Sequence, residues 1–112
     1  MEIKEGEVVL CSFYFSDFKK SKKRPVLVFK NNLPYDDFIA MPISSKITKL
    51  HSNEVMINDE NFLEGKLPVP SKLMIRKTFV VSKTSIIKSY GVVTQSTYAQ
   101  FQNKFCNYFR CI

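Results

Sequence analysis

Two short stretches carry the side chains best suited to hold a phosphate. In "KKSKKRPVLVFKNN", residues 19–32, every position from Lys19 to Arg24 is basic except Ser21. Pro25 pushes the residue before it away from the helical region and toward an extended backbone, and the apolar residues 26–29 that follow read as a strand. The Arg24 side chain therefore leaves a backbone anchored by a sheet, unlike the lysines before it. A planar guanidinium held that way offers two parallel hydrogen bonds to a phosphate; an arginine that only covers a strand end is the equally simple reading. In "MPISSK", residues 41–46, Ser44, Ser45 and Lys46 follow an apolar run ending in Ile43. Two hydroxyls and an ammonium where a strand opens into a loop can bind phosphate oxygens, and the same serines can instead serve the turn alone.

Other chemistry finds little support. His51 is the sole histidine; in a loop beside Lys49 and Ser52 it is assigned a structural or solvent-facing role, and no second histidine exists for paired acid–base work. Asp36 and Asp37 fall in a turn and read as solvated. With three glycines the chain has no Gly-rich phosphate loop. It offers no Ser–His–Asp or Cys–His set, and no carboxylate cluster of the kind a metal-dependent nuclease uses. Cys11, Cys106 and Cys111 are odd in number and contain no CxxC pair, so neither a zinc site nor a disulfide framework is expected. No metal or cofactor is expected, and a reducing cytoplasm is the expected compartment.

The elements that must position these side chains are mostly strands. Residues 8–14, 25–30, 38–43 and 54–57 read as strands, with residues 16–24 a charged loop and Pro42 placed at the edge or end of its strand. Residues 58–70, with Gly65, Pro68 and Pro70, read as loop with one helical turn. Residues 73–81 read as a strand or a broken pair of strands, and 85–87 as a short last one. Thr94 is an N-cap, and Tyr98, Phe101, Phe105 and Phe109 then recur at helical spacing. The expected architecture is one domain, 1–112, a small β-barrel or half-barrel with a C-terminal α-helix.

The 112 residues carry a net charge of +7 and are 45% hydrophobic, which suits a core of this size and favours an anionic partner, nucleic acid before a membrane surface. A chain rich in Lys, Asn, Ile and Phe also fits an AT-rich coding sequence, but that accounts for the number of lysines and not for their clustering. No apolar run reaches the length of a membrane span, and the mixed-charge start is unlike a signal peptide.

"EGEVVL", "KRPVLVFKN" and "MPISSK" resemble, in order and spacing, the N-terminal blocks of the MazF/PemK family of toxins, and "SKLMIRKTFVVSK" with "SYGVVTQSTYAQFQNKF" resembles that family's second half. The resemblance implies an SH3-like barrel of the MazF/PemK/CcdB type, a homodimer, and a metal-independent endoribonuclease acting on single-stranded RNA. It also implies a cognate antitoxin, expected to be small and acidic. The family's catalytic arginine and hydroxyl map to Arg24 and to Ser44, which stands where threonine is commoner. Lys19, Lys20, Lys22 and Lys23 would then contact the RNA backbone and Phe18 would stack a base. Ser45, Lys46 and Lys77 complete the expected RNA contacts. The departures lie in residues 15–23 and around Arg76-Lys77-Thr78, and they bear on which RNA sequence is cut. Two other readings keep the same barrel: a non-catalytic RNA-binding module, and a CcdB-like toxin acting on a protein.

Overall fold

The computed structural model describes residues 2–14 and 21–111. The expected base-stacking Phe18 and the lysines Lys19 and Lys20 lie outside the described residues. Among the described residues eight strands form one curled antiparallel sheet: β1 (Glu7–Tyr14), β2 (Ser21–Lys30), β3 (Asp37–Ser44), β4 (Glu54–Ile57), β5 (Phe62–Gly65), β6 (Ser71–Met74), β7 (Phe79–Ser82) and β8 (Ile86–Val93). They run in the order β4-β6-β3-β2-β1-β8-β5, with β7 also on β3. One α-helix among the described residues, α1 (Gln95–Phe109), closes the element order, making a half-barrel with a terminal helix as expected.

Alternation along β2 sends successive side chains to opposite faces. Leu27 and Phe29 join Val8, Met41 and Phe101 in one core. Val26 and Val28 join Val9, Cys11, Phe38 and Ala40 in a second core on the other face. Arg24 continues the Val26–Val28 row. β2 begins earlier than expected: Ser21–Arg24, read as part of a loop, are strand residues paired with Tyr14–Cys11 of β1. The physical reason is that β2 gains β3 as its second neighbour only from Val26 onward. Before that point it is one half of a two-stranded arm. Both faces of that arm can carry charge, so no apolar alternation marks it.

β3 changes partner midway. Residues 37–40 pair with β7 and 43–44 pair with β6. Pro42, expected at a strand edge or end, sits inside β3 but at this interruption, where a residue without an N–H fits. β6 and β7 are the broken pair, separated by a 3-10 turn at Ile75–Lys77. β5 lies in the stretch read as loop, and β8 is longer than expected. Both depend on close backbone approach. Gly65 and Gly91 face each other with φ +79° and +147°, and a Cβ on either would fall 1.9 Å or 2.0 Å from a carbonyl oxygen of the opposite strand.

The helix is placed as its spacing requires. Thr94 Oγ1 caps it by accepting from Thr97 N at 3.1 Å. Phe101 is buried. The Tyr98 hydroxyl donates to the Phe29 carbonyl, and Phe105 stacks on Phe29 with centroids 4.7 Å apart. Phe109 continues the face onto Phe105 but is about half exposed.

Candidate active site

The arm of β1 and β2, the end of β3 and the β6–β7 turn surround a groove of about 570 Å³. Arg24 comes from β2, Ser44 from the last position of β3, Lys46 from the turn beyond it, and Lys77 from the turn after β6. Four of the expected site residues, from three separate stretches of sequence, therefore face one cavity. Phe13, Pro42, Met74 and Phe79 give it apolar walls. Phe13 and Phe79 meet edge to face, centroids 5.4 Å apart, bracing the arm against β7.

Arg24 stands opposite Cys11 in the β1–β2 ladder. Burial pushes the Cys11 thiol up, against a smaller lowering by a hydrogen bond with Ser85, so the residue beneath Arg24 is an uncharged thiol rather than a counter-ion. Among the described residues Glu54 is the one carboxylate lining the groove, and it is committed elsewhere. Lys72 Nζ donates to Glu54 Oε1 at 2.7 Å and to the Lys49 carbonyl at 2.9 Å, with both side chains of the ion pair under 10% exposed, at 8% and 3%. Glu54 Oε1 also accepts from the His51 backbone N–H at 2.9 Å. The hydrogen bond from Lys72, then that from His51, holds the Glu54 carboxyl below its ordinary value despite burial. This pair ties β4 to β6 and clasps residues 49–54 along the groove. Arg24, Lys46, Arg76 and Lys77 are left without an ion-pair partner among the described residues.

Ser44 is buried, and its Oγ accepts from Lys46 N at 3.1 Å. The hydroxyl does form the turn, as the simpler reading held, yet its own hydrogen stays available to donate into the groove. Ser45 and Lys23 are not in this cavity. They line a smaller hollow of about 240 Å³ with Pro25, Ile43, Leu67 and Tyr90, and Arg24 borders this hollow as well as the groove. Lys22 is exposed and shares the Arg24 face of the arm but does not line the groove. Four polar lining residues are not among the site residues expected from sequence: Arg76, Lys72, Glu54 and His51, the last of which reads there as structural or solvent-facing. Arg76 had a signal, lying beside Lys77 in the stretch that departs from the family pattern. The Glu54–Lys72 pair had none, because two strands distant in sequence bring it together.

No group of three or more His, Cys, Asp or Glu among the described residues is placed to hold a metal ion. No helix among them is long and apolar enough to cross a membrane.

Solved structures share this architecture. A MazE–MazF complex from Deinococcus radiodurans superposes with TM-score 0.77 at 16% identity, covering 98% of each chain. An endoribonuclease in complex with its cognate antitoxin from a mycobacterial species gives 0.76 at 14% identity, covering 99% of this chain and 98% of that one. The Mycobacterium tuberculosis toxin MazF-mt6 gives 0.67 at 17%, over 93% and 98%. At these identities the likeness speaks for the fold. No protein of the curated set matches the chain at a significant level. The model of one family, the PemK-like, MazF-like toxins of type II toxin–antitoxin systems, matches residues 4–109, and the chain belongs to that family.

Proposed function

We propose that this protein, as one toxin domain spanning 1–112, is a metal-independent endoribonuclease. It cuts single-stranded RNA to a 2′,3′-cyclic phosphate and a 5′-OH end and is held in check by a small acidic antitoxin. The observation that carries this reading is the convergence of Arg24 and Ser44 in one groove with unpaired cations around them. RNA supplies its own nucleophile. The 2′-oxygen bonds to the adjacent phosphorus, the bond from phosphorus to the 5′-oxygen breaks, and the extra negative charge gathers on the non-bridging oxygens between those events. A fixed guanidinium and a hydroxyl donor meet that charge. Arg24 is the fork on the phosphorane, Ser44 donates to one of its oxygens, and Lys46, Arg76 and Lys77 hold flanking phosphates.

The deciding experiment is incubation of the purified protein with a long RNA in EDTA, followed by end mapping. Cyclic phosphate and 5′-OH ends at discrete sites are expected. Binding without cleavage would leave an RNA-binding module, and neither binding nor cleavage would favour a protein target.

Salt dependence gives a second expectation. If the four unpaired cations each meet a phosphate, log affinity should fall with log salt at a slope near −3, at about 0.7 per phosphate on a single strand. Lys46→Ala and Lys77→Ala should each flatten it by roughly 0.7. Lys23→Ala, on the other face of the arm, separates the groove from a general charge effect: a slope that responds to Lys23 and not to Lys46 would move the RNA path to the arm.

The exposed apolar side chains Leu63, Val80 and Ile87, together with family membership, support a homodimer. A monomeric mass by light scattering at micromolar concentration would count against it.

A further inference from the structure

We propose that His51 is the group that takes the proton from the 2′-hydroxyl. This rests on the ribonuclease reading above and supplies the base that reading lacks. In the sequence His51 lies in a loop beside Lys49 and Ser52, with no second histidine to pair with, and reads as structural or solvent-facing. The structure puts it on the wall of the same groove as Arg24 and Ser44, on a segment clasped at both ends. Its backbone N–H is held by Glu54, and the Lys49 carbonyl is held by Lys72.

The chemistry of the other lining groups leaves this task to the imidazole. The charged and titratable residues that line the groove with His51 are Arg24 from β2, Lys46 beyond β3, Glu54 from β4, Lys72 from β6, and Arg76 and Lys77 from the following turn. A guanidinium does not deprotonate in proteins, and ammonium groups are already protonated near neutral pH. The Ser44 hydroxyl is far too weak a base. Glu54 is held as a carboxylate by Lys72 and the His51 backbone, and the hydrogen bonds that keep it charged also make it a poor proton acceptor. A neutral imidazole has a free lone pair and returns its proton readily near neutrality.

The step balances with water. As the 2′-oxygen bonds to phosphorus, its proton passes to the ring. As the 5′-oxygen leaves, it takes a proton from solvent water. The hydroxide so formed accepts the proton of the imidazolium and restores the neutral ring.

His51 is exposed, and its hydrogen bonds with Glu54 are made by its backbone N–H and carbonyl, so substitution spares the clasp. The test is single-turnover cleavage of a long RNA between pH 5 and 9 by the full chain, wild type, His51→Gln and His51→Ala. A binding titration on RNA carrying deoxyribose at the scissile position runs beside it. His51→Gln should cleave about 10²–10⁴-fold more slowly at neutral pH with affinity within a few-fold, and the rise of rate with pH on the acidic side should disappear. Added imidazole should restore part of the rate to His51→Ala. A rate lowered equally at every pH, with the acidic limb intact and no rescue by imidazole, would assign His51 a merely structural part and overturn the proposal. So would an unchanged rate. If the wild type cuts nothing while binding RNA, the ribonuclease reading falls and this one with it; if the wild type cuts and His51→Gln cuts equally well, only the assignment of His51 falls.

Discussion

Arg24→Lys should cleave RNA about 10²–10³-fold more slowly than wild type while binding it within a few-fold, a loss on the order of 3–4 kcal/mol of transition-state stabilisation. The charge is unchanged by this substitution, so an arginine acting as one more cation of a basic surface would be replaced without consequence. The placement of Arg24 argues otherwise. It stands four residues into β2, laddered to Cys11, on the face whose next residues, Val26 and Val28, are fully buried. The backbone is fixed by the β1 ladder, and the Phe13–Phe79 contact braces the arm. A guanidinium leaving that platform presents two donors in a set direction. An ammonium on a flexible stem presents a point charge and loses the pairing. Arg24→Ala should be worse still, and Ser44→Ala should be impaired with the fold intact. The measurement is single-turnover cleavage beside a titration with uncleavable RNA, with circular dichroism to check the strand. Near-wild-type cleavage by Arg24→Lys would remove the catalytic assignment and leave a phosphate contact.

The second large effect is on stability. Lys72→Met should destabilise the protein by about 3 kcal/mol at neutral pH, because it strands the Glu54 carboxylate without its cation. The double variant Glu54→Gln with Lys72→Met should recover most of the loss, since an ion pair of this kind costs much of what it returns. The pH dependence has a definite sign. Glu54 is held below its ordinary value in the folded protein, so its contribution is fully present above about pH 4.3, the unfolded value, and is lost as pH falls through the folded one. In Lys72→Met the stranded carboxylate is instead relieved by protonation. The gap between wild type and Lys72→Met should therefore narrow below about pH 4. Urea denaturation at pH 7 and pH 3.5 measures both; a gap that stays constant would show that Lys72 acts through packing of its stem and not through Glu54.

What was legible in the sequence follows from which physical signals are local. The α1 face could be read because Tyr98, Phe101 and Phe105 repeat at the spacing of one helix and all meet one core, and because Thr94 caps where it stands. The core strands could be read because apolar residues cluster where the sheet is covered on both sides. The arm could not, because Lys22, Lys23 and Arg24 belong to a strand with a single neighbour. β5 was hidden by turn-forming residues, since a glycine required by close approach of two backbones looks the same as one required by a turn. Arg24 and Ser44 were legible through flanking residues and family resemblance, not through any visible nearness. The inward-facing Lys72 was not legible at all: "SKLM" gives no local sign that its lysine is buried, and the partner that makes burial tolerable lies on another strand. His51 reads as structural or solvent-facing from its own loop, because its value depends on which residues line the groove with it.

The facing glycines of β5 and β8 bear on how the protein can be studied by genetics. At each of them a new side chain would strike main-chain carbonyls of the opposite strand, so no smaller neighbour elsewhere can make room for it. A second-site suppressor of a change at Gly65 or Gly91 should therefore be hard to recover, whereas a weakened side-chain contact can be repacked. In a selection for clones that have lost activity, these two positions would be returned beside Arg24 and Ser44 although they touch none of the groove. Sorting the harvest by soluble yield would divide it: inactive clones that accumulate as folded protein would mark the groove, and those that do not would mark the seam between the last strands.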